Sequence, residues 1–297
     1  MKAPISYYGG KARLAGWITS LMAPHRVYVE PFFGSGAVLF AKRRSAHEVV
    51  NDLDGNLVCF FRVLRDRPDE LERACRLTPY AREEFDAAGP AGEGSMVVID
   101  DLERARRFFV RVTQGFNKSA GGPRSVGWST SVQRNASNAR SVGRLIERFE
   151  LCARRLEGVA VENRPAVECI RRYGVAGALV YADPPYRADT RRGLAKRTGD
   201  YPVEYNSEED HRELAEALRA TPSAVLLSGD ASPLYNDLYG DWDRVEREVP
   251  AGSSTHAGAT RRATEVIWSN RRITQQLELL WRPAMGEDGA DAMEPSP

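Results

Sequence analysis

Leu179-Val180-Tyr181-Ala182-Asp183-Pro184-Pro185-Tyr186 is an apolar run rich in β-forming residues that stops abruptly in Asp-Pro-Pro-Tyr. Proline donates no ladder hydrogen bond, so two in succession cannot continue a central strand. The stretch therefore reads as a buried strand with a stiff polar turn at its carboxyl end. In open α/β sheets ligands bind in the crevice beyond the carboxyl ends of the strands. A carboxylate, two rigid carbonyl-bearing residues and an aromatic ring would then face one small pocket.

These residues suit reaction at a flat ring that bears an amino group. Asp183 and the main-chain carbonyl of Pro184 are acceptors and together can take both protons of an –NH2, while Tyr186 offers a face for stacking, a contact of about 1–3 kcal/mol per base. The exocyclic nitrogen of adenine or cytosine is a poor nucleophile because its lone pair is delocalised into the ring. Two acceptors pulling on its hydrogens favour a more tetrahedral nitrogen and restore the lone pair. A plain strand-ending turn would explain Asp-Pro-Pro-Tyr equally well if it stood alone.

Upstream, Tyr7-Tyr8-Gly9-Gly10-Lys11 precedes an amphipathic helix with Leu14, Trp17, Ile18 and Leu21 at helical spacing. A cation at a helix entrance opposes the helix dipole, which suggests that Lys11 is kept for a ligand carboxylate or phosphate. Val27-Tyr28-Val29-Glu30 reads as a short buried strand running into Pro31-Phe32-Phe33-Gly34-Ser35-Gly36 and then a helix. A strand, glycine turn and helix bring a ligand against bare backbone amides. The turn lacks the third glycine of the dinucleotide fingerprint and the lysine of a P-loop, which argues against NAD and ATP. A second strand, Val49-Val50, ends in Asn51-Asp52-Leu53-Asp54, where an acid would hold the ribose hydroxyls of a nucleoside ligand. Asp52 is the choice for that role, since Asp54-Gly55-Asn56 can equally cap and open the next helix.

The order Tyr-x-Gly-Gly-Lys at 7–11, Glu-Pro-Phe-x-Gly-x-Gly at 30–36, Asn-Asp-x-Asp at 51–54 and Asp-Pro-Pro-Tyr at 183–186 resembles the Dam-type (class alpha) DNA adenine N6-methyltransferases. The similarity continues through His211-Arg212-Glu213-Leu214, Leu227-Ser228-Gly229, Leu234-Tyr235 and Thr264-Glu265-Val266-Ile267-Trp268-Ser269-Asn270. The resemblance implies an α/β fold: a Rossmann-like S-adenosylmethionine-dependent methyltransferase sheet with an inserted, mostly helical target-recognition domain. It also implies S-adenosyl-L-methionine as cofactor and base flipping of adenine in double-stranded DNA. Carried over by position, Tyr7 packs on the cofactor and Lys11 lies near its carboxylate. Glu30, Phe32, Gly34 and Gly36 accommodate its methionine and ribose parts, and Asp52 holds the ribose. Asp183, Pro184, Pro185 and Tyr186 form the catalytic pocket, with Asp183 also close to the cofactor. Glu162 occupies the place where some relatives keep an acid near the cofactor's adenine. The same acceptors would suit cytosine N4 or RNA, and a DNA-binding protein of this fold without activity is a further alternative.

The expected division is a discontinuous catalytic domain at 1–55 and 163–282, a DNA target-recognition domain at 56–162 and a disordered tail at 283–297. Between Asp101 and Ala160 twelve Arg or Lys stand against five acids in a chain whose formal net charge is +1, the footprint expected for a polyanion. Within it the polar, glycine-rich loop from Gln114 to Arg140, with Asn117, Lys118, Arg124, Trp128, Gln133 and Arg134, is the expected reader of base edges. Gly115-Phe116-Asn117-Lys118-Ser119 begins somewhat like the hairpin that accompanies GATC recognition and then diverges, which leaves the target site open. Four scattered cysteines form no CxxC pair, so neither a zinc site nor any other metal is expected. The amino-terminal residues do not read as a signal peptide and no apolar run is of spanning length, so a cytoplasmic protein, associated with the nucleoid when on DNA, is expected. Oligomeric state and any cognate nuclease stay open.

Overall fold

The computed structural model describes residues 1–7, 9–89, 99–115, 127–129, 135–186, 205, 207–250 and 262–273. Its strands are β1 (Val27–Glu30), β2 (His47–Asn51), β3 (Val159–Glu162), β4 (Ala178–Ala182), β5 (Ala224–Gly229), β6 (Asp243–Pro250) and β7 (Arg262–Ser269). They form one sheet in the order β3-β2-β1-β4-β5-β7-β6. Neighbours from β3 to β5 are parallel, and β7 runs antiparallel to both β5 and β6. This is the doubly wound Rossmann order with one reversed strand slipped between the last two. The winding changes direction between β1 and β4, and ligands bind at such a switch point.

Alternation along the strands sorts their side chains onto two faces. Tyr28, Val50, Leu179, Tyr181, Leu226 and Ile267 face one core, while Val29, Val49, Val180, Ala182, Val225, Leu227, Val266 and Trp268 face the other. The second face is covered by α9 (Ala166–Tyr173), α10 (Glu208–Ala220) and α11 (Pro233–Tyr239). Ser207 and Asp210 form a reciprocal capping box on α10, and Ser232 caps α11 just before its first-turn proline. Asn270 ties the end of β7 to the start of β5, accepting from Val225 N and donating to Ser223 O.

The first face is covered by α1 (Ala15–Ser20) and α2 (Ala37–Ala41) and by helices from the long connection between β2 and β3. That connection holds α3 (Gly55–Asp66), α4 (Pro68–Leu77), α5 (Arg82–Ala87), α6 (Asp101–Gln114), α7 (Asn135–Ile146) and α8 (Phe149–Leu156). The stretch expected as a separate insert, 56–162, is mostly helical among its described residues, but its last four residues are β3 of the sheet and much of the rest is not a body apart. Phe60 and Phe61 of α3, Phe108 and Phe109 of α6 and Phe149 of α8 are buried in one core with Tyr28, Leu179 and Tyr181 of the sheet. Stacked and edge-to-face rings such as Phe60–Phe109 (6.1 Å) and Phe109–Phe149 (5.3 Å) fix these helices to one another.

A buried ion cluster fastens the insert's last helix to the sheet. Glu48 of β2 accepts from Lys42 Nζ at 2.6 Å and from both terminal nitrogens of Arg155 of α8, at 2.5 and 2.9 Å. Burial alone would raise the pKa of Glu48, but these hydrogen bonds outweigh it and hold the carboxyl below its ordinary range. Several of the twelve basic residues are likewise spent within the protein: Arg106 pairs with Glu84 and Glu103, Arg107 with Glu103, and Arg154 with Glu150. Arg140 and Arg144 of α7 are exposed. All four cysteines are buried and free, and no helix among the described residues is long and apolar enough to cross a membrane.

Candidate active site at the switch point

The turn after β1 is built by two left-handed glycines, Gly34 (φ 49°) and Gly36 (φ 70°). At Gly36 a Cβ would lie 2.5 Å from the ring of Phe33 and 2.9 Å from that of Phe40, so position and conformation both demand glycine. Gly36 caps α2, and the amide of Gly34 points across to β2, donating to Asp52 Oδ2 at 2.8 Å. Asp52 Oδ1 accepts from the amide of Asp54 at 3.0 Å. Burial pushes Asp52 up to about 6 despite these two donors.

Asp54 does what its alternative reading required. It caps α3 by accepting from Asn56 N at 2.9 Å, and it also receives the Tyr7 hydroxyl at 3.1 Å. The ring of Tyr7 thereby stands over the glycine turn, 3.7 Å from where a Cβ of Gly34 would be. Asn163, just after β3, donates to the carbonyls of Asp52 and Leu53 and braces the same loop. Glu162 is occupied by Arg164 and Tyr173.

Asp183 follows directly on β4, all five of whose residues are buried. Lys11 Nζ reaches Asp183 Oδ1 at 2.8 Å, the Tyr186 hydroxyl at 2.9 Å and Glu265 Oε1 at 3.4 Å. Tyr186 in turn donates to Glu265 Oε1 at 2.7 Å. Lys11, read from the sequence as kept for a ligand carboxylate or phosphate, pairs here with two carboxylates of the protein itself. It stands four residues before α1, and its carbonyl receives the Leu14 and Ala15 amides that open that helix. Burial by itself would lower the pKa of Lys11, but Asp183 and Glu265 outweigh it and the net shift is upward. Burial raises Asp183 to about 6; Lys11 opposes that rise and Glu265 adds to it. Tyr186 is driven well above its ordinary range by burial, with Asp183 and Glu265 adding, and keeps its proton.

Glu30 lies beneath the turn. Its carboxyl accepts from the Tyr28 hydroxyl at 2.8 Å, and burial pushes it up to about 8. Phe32 packs edge-on against Tyr205 at 5.5 Å, which packs in turn against His211. Pro184 is buried and Pro185 half-buried. The structure thus places two sets of contacts at the carboxyl ends of these strands: Tyr7, Gly34, Asp52 and Asp54 around the glycine turn, and Lys11, Asp183, Tyr186 and Glu265 beyond β4.

Glu265 had no assigned role in the sequence. Its signal was there: a single acid directly before the apolar run Val266-Ile267-Trp268, in a strand where an unpartnered carboxylate is costly. Because β7 is antiparallel, Val266 pairs with Gly229, and Glu265 falls at the carboxyl end of β5 beside the site.

Of the expected base readers, Asn117, Lys118, Arg124, Gln133 and Arg134 lie outside the described residues. Trp128 is described, and its contacts are internal. Its indole donates to Gln114 Oε1 at 3.3 Å, and its ring packs on Tyr80 and under the Arg82 guanidinium. Gly115 and Trp128 form an antiparallel bridge, reinforced by Ser129 N donating to Gln114 O at 2.8 Å. Trp128 anchors the base of this loop.

The sheet order and the constellation at its switch point define a Rossmann-like methyltransferase. The chain belongs to the D12 class N6 adenine-specific DNA methyltransferases, whose family model matches residues 7–250. It is 26% identical over 290 residues to the Type II methyltransferase M1.LlaDCHI of Lactococcus lactis subsp. cremoris, covering 88% of this chain and 93% of that protein. Among solved structures, the putative methyltransferase yhhF of Escherichia coli aligns over 87% of this chain and 82% of its own, at 13% identity and a TM-score of 0.34. The substrate of this family is DNA, and the reaction is methylation of adenine at N6. Among the described residues no group of three or more His, Cys, Asp or Glu could hold a metal ion.

Proposed function

We propose that this chain binds S-adenosyl-L-methionine over the Gly34–Gly36 turn and methylates an adenine flipped out of duplex DNA into the Asp183–Tyr186 pocket. The observation that carries the reading is the charge of the site. Asp183 and Glu265 both pair with the ammonium of Lys11, and Asp52 adds a third carboxyl at the glycine turn. Such a surplus of carboxyl groups fits a ligand bearing a positive sulfonium.

When bound, S-adenosylmethionine supplies a methyl group open to direct displacement from sulfur. The protein's part is positioning and electrostatics. Asp52, oriented by the Gly34 and Asp54 amides, would hold the ribose hydroxyls, and the ring of Tyr7 over the glycine turn would pack on the ligand. Lys11 occupies Asp183 Oδ1 and leaves Oδ2 to accept one N6 hydrogen, while the Pro184 carbonyl accepts the other. Tyr186 stacks on the base and returns part of the few kcal/mol that flipping costs. Methylation would leave positive charge on N6. Asp183 is the nearest carboxylate to stabilise that charge and to take the proton N6 then sheds.

We assign residues 1–55 and 163–282, with β3 of the same sheet, to catalysis. DNA reading falls to the part of 56–162 that lies outside the shared core: the exposed arginines of α7 and the segment between Gly115 and Asn135 expected from the sequence to read base edges. The Type II name of the lactococcal relative supports a place beside a restriction nuclease. The test is transfer of labelled methyl from S-adenosylmethionine to unmethylated genomic DNA, followed by digestion to nucleosides. Label in N6-methyldeoxyadenosine is expected. Label in N4-methyldeoxycytidine or only in RNA would move the substrate, and cofactor and DNA binding without label would mark an inactive binder.

A further inference from the structure

The Tyr186 hydroxyl is fully engaged, accepting from Lys11 and donating to Glu265. Nothing in the reaction requires that hydroxyl, since stacking uses the ring alone. Yet it sits in a half-buried residue between two buried partners, and the side chain of Glu265 is only 10% exposed. A carboxylate kept there is costly unless it does something a neutral residue could not. Lys11 and Asp183 by themselves form a neutral pair; with Glu265 the cluster carries one net negative charge facing the place where N6 becomes positive.

We propose that Glu265 is a positioning residue for methyl transfer: it fixes the Tyr186 ring through its hydroxyl and draws the Lys11 ammonium between two carboxylates, so that Asp183 keeps acceptor strength for the amino group. The inference rests on the function proposed above. Three elements meet here: the segment before α1 with Lys11, the turn after β4 with Asp183 and Tyr186, and the start of β7 with Glu265. The antiparallel course of β7 is what brings Glu265 to this end of the sheet.

Two consequences separate positioning from mere folding. Glu265 raises the pKa of Asp183, alongside burial and Asp230 and against Lys11, with the Glu30 carboxyl and the Tyr181 phenol also close in charge. Removing the charge in Glu265→Gln must therefore move the acid limb of the rate profile to lower pH. Glu265 also acts through the Tyr186 hydroxyl, so Glu265→Ala and Tyr186→Phe must be strongly non-additive.

The experiment measures single-turnover methyl transfer to a duplex carrying one target site, for wild type, Glu265→Gln, Glu265→Ala, Tyr186→Phe and the Glu265→Ala/Tyr186→Phe double variant. Thermal melting and S-adenosylmethionine binding are measured for each. Glu265→Gln keeps an acceptor for the phenol and is expected to lose about tenfold in rate, with cofactor and DNA affinities within about threefold of wild type. Glu265→Ala is expected to lose about a hundredfold, and the double variant no more than about twice that. With 2-aminopurine as the target base, Glu265→Ala should be brighter than wild type, because the misplaced ring no longer quenches the flipped base. Rates within twofold of wild type, additive losses, or losses matched by weaker cofactor binding would overturn the inference while leaving the proposed function standing. A wild-type protein that transfers no methyl to DNA would overturn the function, and the inference with it.

Discussion

Two buried clusters in this molecule use the same ingredients in opposite proportion. Around Glu48, two cations converge on one carboxylate, whose oxygens are saturated by Lys42, Arg155 and the Ser45 amide. Around Lys11, two carboxylates and a phenol converge on one cation. The first clamps α8 to β2 away from the switch point. The second sits on it, with negative charge in surplus. A saturated cluster holds a fold, whereas an unbalanced one is held by the fold for a ligand that completes it.

The sharpest way to break the comparison is to remove the central group of each cluster. Glu48→Ala leaves two buried cations unpaired and is expected to destabilise the protein by about 3–5 kcal/mol, read as a lower urea midpoint. Methyl transfer per folded molecule should be unchanged. If the stability loss were small and the activity loss large, the division between the two clusters would be wrong. At the site, Tyr186→Ala should cost about 1–3 kcal/mol in stabilisation of the flipped base, with little change in melting temperature. Brighter 2-aminopurine emission in the complex would report it, and unchanged emission would remove Tyr186 as the stacking platform.

A smaller effect sharpens the contrast through pH. Asp52 and Asp183 at about 6 and Glu30 at about 8 keep protons in the folded state that the unfolded chain has released. Their contribution to stability is therefore full below about pH 4 and is lost as pH rises through 6 and then 8. Glu48 and Glu103, whose pKa values are lowered, act in the opposite sense and only at acid pH. Between pH 5.5 and 8.5, roughly the window of the raised groups, the free protein should melt progressively lower, and Glu30→Gln should flatten the alkaline part of that slope. A flat profile in wild type would contradict the placement of these carboxyls. In the rate, Asp183 must be ionised to accept the amino hydrogen, so transfer should fall as pH drops below about 6.

What could be read from the sequence was what is local along the chain. Asp-Pro-Pro-Tyr ends a strand because of its own covalent geometry, and β4 stops at Ala182 as expected. The glycine turn and the choice of Asp52 over Asp54 follow from capping chemistry within a few residues, and Asp54 is indeed the cap of α3. Lys11 was visible as an oddity, but its partners lie 172 and 254 residues further on, and nothing local announces them. Glu265 needed the direction of β7, which a sequence pattern does not give. The insert was legible as helical and basic. That α3, α6 and α8 share their core with the sheet was not, because a buried helical face does not say against what it is buried.

The most direct test is single-turnover transfer of labelled methyl from S-adenosylmethionine to the target duplex by wild type and Asp183→Ala, at saturating cofactor and DNA. The expected result is label in N6-methyldeoxyadenosine with wild type and a rate lower by about 10²–10⁴ with the variant, which should stay folded because Lys11 keeps Glu265 as a partner. Equal rates for the two proteins would contradict the assignment of Asp183 as the acceptor that makes N6 reactive.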